Sequence, residues 1–195
     1  VRASARFGDN RSASVTCGQR WRSEATPGFR CATNANEERS DFVGAANLDF
    51  GAPLRSNIRL RLDQDQLSPT RIDADLISTL GRVTTYGRYF RVDETLSPGA
   101  PRQELYSDIS MRLYRGWSVG YGLRRDLDLA KNLFQEARLT YLDQCTFISL
   151  AYRQTETTVG RLGPERGFEI RLGLTTLGMV GGGQAGSDPS RAFLR

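Results

Sequence analysis

Residues 53–63, PLRSNIRLRLD, alternate apolar and polar side chains without a break. Leu54, Ile58, Leu60 and Leu62 share one parity with Ser56, and Arg55, Asn57, Arg59, Arg61 and Asp63 share the other. Successive side chains of a strand point to opposite faces, so this segment has one apolar face and one densely charged face. An arginine facing lipid at mid-membrane costs roughly 2–4 kcal/mol, so the arginine face must meet water. Similar alternation recurs near 12–21, 40–50, 70–79, 80–92, 103–114, 116–126, 131–142, 145–155 and 167–177. Each stretch is close to the length at which a tilted strand crosses a bilayer, roughly 9–11 residues. The expected fold is all-β: an antiparallel up-and-down meander of about ten strands, forming an open part of a transmembrane barrel over residues 1–178.

Composition agrees with that reading. Mean hydropathy is −0.46, and no apolar run is long enough for a transmembrane helix. A barrel escapes this test because alternation dilutes its apolar residues. The chain starts at Val1, without an initiator Met or a signal peptide, as a mature product or an excised fragment would. The net charge is +5, and Lys131 is the only lysine. The arginines are spread through the strands rather than gathered in a patch, so nucleic-acid binding is not expected. There is no histidine, which removes His-based acid–base chemistry and His–metal sites. Cys17, Cys31 and Cys145 have spacings that fit no zinc motif. No cofactor, metal or catalytic residue is expected.

The connections fall into two alternating classes. FGAP (50–53), STLG (78–81), Tyr114–Trp117 and LDQC (142–145) read as tight turns. Residues 22–39, 63–69, 93–102, 126–131 and 156–166 read as longer polar loops. Short turns at one rim and longer loops at the other are the habit of outer-membrane barrels. Phe50, Tyr114, Trp117 and Tyr141 fall at the short-turn ends, and Tyr89, Phe90, Phe134 and Phe168 near the long-loop ends. Such rings suit two interfacial girdles. Val1, Ala3, Ala5 and Phe7 share one parity and suit the end of an earlier strand. Residues 179–195, rich in Gly and polar residues, read as a flexible C-terminal tail.

Four segments together carry a resemblance: SDFVG (40–44), RGWSVGYGLRRDL (115–127), LTYLDQCTFISLAYRQT (139–155) and FEIRLGLTTLG (168–178). In order and spacing they resemble the C-terminal barrel region of the LPS-assembly protein LptD family, most closely its single-cysteine alphaproteobacterial forms. The resemblance spans most of residues 12–178. It implies an outer-membrane translocon that inserts lipopolysaccharide into the outer leaflet, a transport role rather than an enzymatic one. The implied partners are lipopolysaccharide, an N-terminal periplasmic domain, the remaining barrel strands of the same protein, and an LptE-type lipoprotein plug.

For Cys145 the resemblance implies a disulfide to the N-terminal region; the other reading is a free thiol. Many family members carry adjacent cysteines at this turn, whereas here Thr146 follows Cys145, so at most one such bridge is possible. A bridge between Cys17 and Cys31 stays open. The family's seam for lateral lipid release implies that the last strand is its gate. Phe168, Ile170, Leu172 and Leu174 should then face lipid, with Gly167 and Gly173 weakening the strand. The charged residues expected on the aqueous side are Arg59, Arg61, Asp108, Arg112, Arg124, Glu136, Arg138, Glu169 and Arg171. Each of these arginines suits a lipid phosphate or an ordinary polar lumen balanced by Glu104, Asp108, Glu136 and Glu169. A porin-like channel, an outer-membrane barrel enzyme and a soluble all-β binding module are the competing readings.

Overall fold

The computed structural model describes residues 1–8, 11–24, 38–94, 102–156 and 163–174. The proposed tail at 179–195 and Cys31 lie outside these residues. The described chain is one antiparallel sheet whose strands follow sequence order: β1 (Arg2–Arg6), β2 (Ser12–Gly18), β3 (Phe42–Asp49), β4 (Arg55–Leu62), β5 (Pro69–Leu80), β6 (Val83–Val92), β7 (Arg102–Arg112), β8 (Trp117–Asp126), β9 (Lys131–Leu142), β10 (Thr146–Thr155) and β11 (Glu165–Leu174). No helix occurs among the described residues. The earlier strand read from the parity of Val1, Ala3, Ala5 and Phe7 is β1, which adds to the ten and pairs with β2 from Arg2↔Thr16 to Arg6↔Ser12. Strands β5 to β11 are 10 to 12 residues long, while β1 to β4 have 5 to 8.

Turn chemistry fixes the register. Leu80 pairs with Val83 across Gly81-Arg82, and Gly81 has φ +60°. Glycine at the first central position is the type II′ hairpin signature, whose twist matches that of the flanking strands. Between β7 and β8, Arg115 and Gly116 both have positive φ, 48° and 83°, as a type I′ turn requires. The Trp117 N–H donates to Tyr114 O at 3.1 Å and closes this turn. A Cβ on Gly116 would stand 2.3 Å from the carbonyl oxygen of Leu142, so the next hairpin packs where only glycine fits. Between β9 and β10, Asp143 Oδ1 accepts the N–H groups of Cys145 at 2.9 Å and Thr146 at 2.6 Å, an Asx turn.

The two classes of connection do alternate between rims, but their lengths overlap. The connection at 127–130 is shorter than expected, since Asp126 pairs with Lys131, and it is tighter than the 50–54 turn. Asp126 explains this: its Oδ1 accepts the Leu129 N–H at 2.8 Å, and Ala130 takes a positive φ of 51°.

The pairing register carries one parity intact across the sheet. The row Ala46↔Ile58↔Ala74↔Tyr89↔Leu105 and the row Met111↔Val119↔Leu139↔Leu150↔Ile170 lie on the same face. The opposite face carries Arg59↔Asp73 and the row Asp108↔Gly122↔Glu136↔Arg153. Irregularities at Arg61/Leu62 and Arg124/Arg125 absorb a residue near the longer loops without exchanging the faces of the central rows.

Burial is inverted relative to a water-soluble domain. Val92 and Ala151 are the only buried apolar residues among those described, whereas Asp41, Thr70, Asp73, Glu104, Glu136 and Ser149 are buried polar ones. Ile109, Leu150 and Ile170, in contrast, are exposed. The charged face is therefore the crowded one. Among the described residues no second layer covers the apolar face, although a sheet's apolar face must bury against something.

Candidate functional site: the charged face and the free edge

Alternation aims the carboxylates of β4 to β11, and all of their arginines but Arg91, Arg125 and Arg166, at the same face, and the register sets many of them within bonding reach across strands. All nine residues expected on the aqueous side, from Arg59 to Arg171, share this face. The longest chain of contacts runs over β7, β9, β10 and β11. Arg138 Nη2 meets Asp108 Oδ2 at 2.8 Å, and its Nη1 meets Glu136 Oε1 at 3.1 Å. Glu136 also takes Arg153, which reaches Glu169 at 2.6 Å, and Glu169 takes Arg171. A second group joins Arg102 and Arg124 through Glu104, with Arg124 Nη2 at 2.6 Å from Oε2. Arg61 pairs with Asp41 at 2.8 Å, and Arg71 with Asp73 at 2.7 Å. Arg112 instead donates to the Gly81 carbonyl at 3.2 Å.

Glycines make room for the most buried cation. A Cβ on Gly120 would lie 2.9 Å from Arg138 Nη2, and one on Gly122 would lie 3.1 Å from Asp108 Oδ2. The Arg138 guanidinium thus lies over two side-chain-free positions of β8, and its side chain is 13% exposed. A cation so enclosed persists because two carboxylates flank it. Sequence reading did not single out Gly120, Gly122, Arg153 or Tyr86, whose hydroxyl donates to Asp75 Oδ1 at 3.0 Å. Parity alone would have found Arg153, two positions from Ala151 and four from Ser149 on the charged side of β10. The glycine cradle needs the register of β8 against β9 and has no signal within one strand.

On the apolar face, Trp117 and Tyr141 stack at the short-turn rim and Tyr152 and Phe168 at the other, each pair with ring centroids 5.0 Å apart. Two of the expected girdle residues do not join them. Phe90 lies on the charged face, where the Arg71 guanidinium sits 5.3 Å from its ring centre. Phe134 shares that face, near Gly122. Their even positions in β6 and β9 decide this: proximity to the rim does not set the direction of a ring.

The last strand pairs only with β10, from Thr146↔Leu174 to Thr155↔Glu165. Its other edge is free among the described residues. Phe168, Ile170, Leu172 and Leu174 project to the apolar face, with Phe168 at 76% exposure. Gly167 and Gly173 lie on the charged face opposite Arg153 and Phe147. A Cβ on Gly173 would make ordinary contact with Phe147 at 3.7 Å, so this glycine relieves no severe crowding.

Cys145 is exposed in the Asx turn at the rim where β11 ends. The Cys145 and Thr146 N–H bonds hold the neighbouring Asp143 carboxyl below the usual carboxylate range. Cys17 is also exposed, opposite Gly44 on the apolar face. Among the described residues no group of three or more Cys, Asp or Glu is placed to hold a metal ion. Neither any protein-family model nor any curated protein matches this chain.

Proposed function

We propose that this chain is part of the wall of an outer-membrane β-barrel that delivers lipopolysaccharide to the outer leaflet. One observation carries the membrane reading: carboxylates such as Glu104 and Glu136 are buried and paired with arginines of their own face, while aliphatic side chains of the opposite face stand uncovered among the described residues. In water such a sheet leaves an apolar surface without a partner; in a bilayer, lipid covers that face and an aqueous lumen receives the charges.

Strand direction supports a place in a larger barrel. With eleven alternating strands, β1 and β11 run the same way, so they cannot close on each other antiparallel. Antiparallel closure therefore needs further strands beside these two edges. The lipopolysaccharide assignment rests on the resemblance of residues 40–44, 115–127, 139–155 and 168–178 to the LptD family. In this reading the free edge of β11 faces the barrel's first strand across a lateral seam, and each ladder bond resists opening by roughly 0.5–1.5 kcal/mol. By the same resemblance Cys145, which is exposed at the short-turn rim, forms a disulfide to a periplasmic N-terminal domain, and an LptE-type lipoprotein occupies the lumen.

A cysteine crosslink in the intact protein, from position 170 in β11 to the first barrel strand, tests the seam. Lipopolysaccharide export should stop while barrel assembly continues. Normal export with the crosslink fully formed overturns the assignment.

A further inference from the structure

All eleven ion-pair contacts among the described residues lie on the charged face. The apolar face of β3 to β11 has no Asp or Glu. Its cations are Arg91, Arg125 and Arg166, and all three lie toward the longer loops. Random placement would scatter a few charges of both signs over both ends. One sign at one rim is the pattern that complements an anionic layer at one membrane interface, where an outward arginine costs only about 0–1 kcal/mol.

Two of these arginines converge. Arg91 is opposite Gln103 and Arg125 is opposite Leu105, so they flank β7 from β6 and β8. From strand spacing and rise, their Cα atoms lie about 12 Å apart, within the joint reach of two extended arginine side chains. Among the described residues neither makes an ion pair, and Arg125 Nη2 has a 3.5 Å contact with the Ala130 carbonyl. Gln103 lies between them and spends its side-chain oxygen on the Tyr89 hydroxyl at 3.3 Å, leaving its amide N–H groups to donate. The loop carboxylate of Asp128 is turned to the Gln103 backbone N–H at 2.6 Å. Toward mid-sheet the same face continues into Leu105, Ile109 and Tyr121, a surface for acyl chains.

We propose that Arg91 and Arg125, with Gln103 between them, form a subsite on the lipid-facing wall for the phosphorylated headgroup of a glycolipid in the leaflet beside the longer loops. Guanidinium groups suit phosphate oxygens bidentately, and the amide suits a sugar hydroxyl. The proposal rests on the membrane-wall reading above and assigns it a place where the glycolipid rests against the outer wall.

The test uses the full-length protein in phosphatidylcholine nanodiscs doped with diphosphoryl lipid A, with retained lipid counted by native mass spectrometry. Wild-type protein should retain diphosphoryl lipid A, and Arg91→Gln/Arg125→Gln should retain at least tenfold less. Arg166→Gln, on β11, should stay within twofold of wild type. Equal retention by the double variant overturns the subsite, as does an equal loss in Arg166→Gln, which would mean diffuse attraction. A fluorophore introduced as an unnatural amino acid at position 109, with nitroxide-labelled lipids as quencher, reads the parent assumption separately. Strong quenching with no arginine effect refutes the subsite alone, and no quenching refutes the membrane wall and the subsite with it.

Discussion

Replacing Ile109 with arginine separates a lipid-facing sheet from a water-facing one. Ile109 sits mid-strand in β7, between Thr85 and Tyr121, and is 46% exposed. On a water-facing sheet a substitution at so open a site shifts stability by no more than about 0.5 kcal/mol. At the middle of a bilayer the same arginine costs about 2–4 kcal/mol, which is roughly 30- to 700-fold in the folding equilibrium. Gln103, six residues nearer the loop rim on the same face, supplies the depth control: Gln103→Arg should cost about 0–1 kcal/mol. The assay is urea unfolding of the full-length protein in phospholipid vesicles, followed by intrinsic fluorescence and by mobility of the unheated protein on gels. The lipid reading requires the cost at 109 to exceed that at 103 by at least about 1 kcal/mol. Small and equal costs at both depths would refute it.

Gly116→Ala should destabilise far more than Gly81→Ala in the same unfolding assay. Both have positive φ, worth about 1–2 kcal/mol of strain with a Cβ, but only at 116 does the new atom strike a backbone oxygen, at 2.3 Å; equal costs would mean the two hairpins do not pack as described. Glu136→Gln leaves Arg138 and Arg153 short of a charge partner beneath a 3% exposed side chain, and should cost about 1–3 kcal/mol. A double-mutant cycle with Arg153→Gln should show coupling, and strict additivity would count against the network. The Asp143 carboxyl titrates below its ordinary value of 3.8, so its contribution to the turn is complete above that value and is lost as pH falls through the lower folded-state value. Amide exchange at Cys145 and Thr146, corrected for intrinsic rate, should accelerate on acidification in wild type and be fast at every pH in Asp143→Ala; a pH-independent wild type would refute the Asx turn.

Which residues share a face was legible in single strands. In β4, Ile58 and Leu60 alternate with Arg59 and Arg61, and the pleat turns that alternation directly into two surfaces. The same rule placed Phe168, Ile170, Leu172 and Leu174 opposite Glu169 and Arg171. It also shows why rim position misdirected Phe90 and Phe134: parity within β6 and β9, rather than distance to a loop, aims their rings. The short turns were legible in kind, because Gly81 and Gly116 supply the positive φ that tight hairpins demand. The first, however, spans 80–83 rather than the expected 78–81, since Ser78 and Thr79 still pair in β5.

Contacts between strands were not legible in this way. That Arg138 lies over Gly120 and Gly122 while meeting Asp108 from β7 depends on the relative register of three strands. A register slip by one residue would reverse every one of those partners. The compact 127–130 connection and the irregularities at Arg61/Leu62 and Arg124/Arg125 also belong to the tertiary structure. Alternation is a local property of the backbone, so the sequence by itself determined the two faces. Pairing partners, crowding and the direction of the free edges are relations between distant segments, and only the assembled sheet decided them.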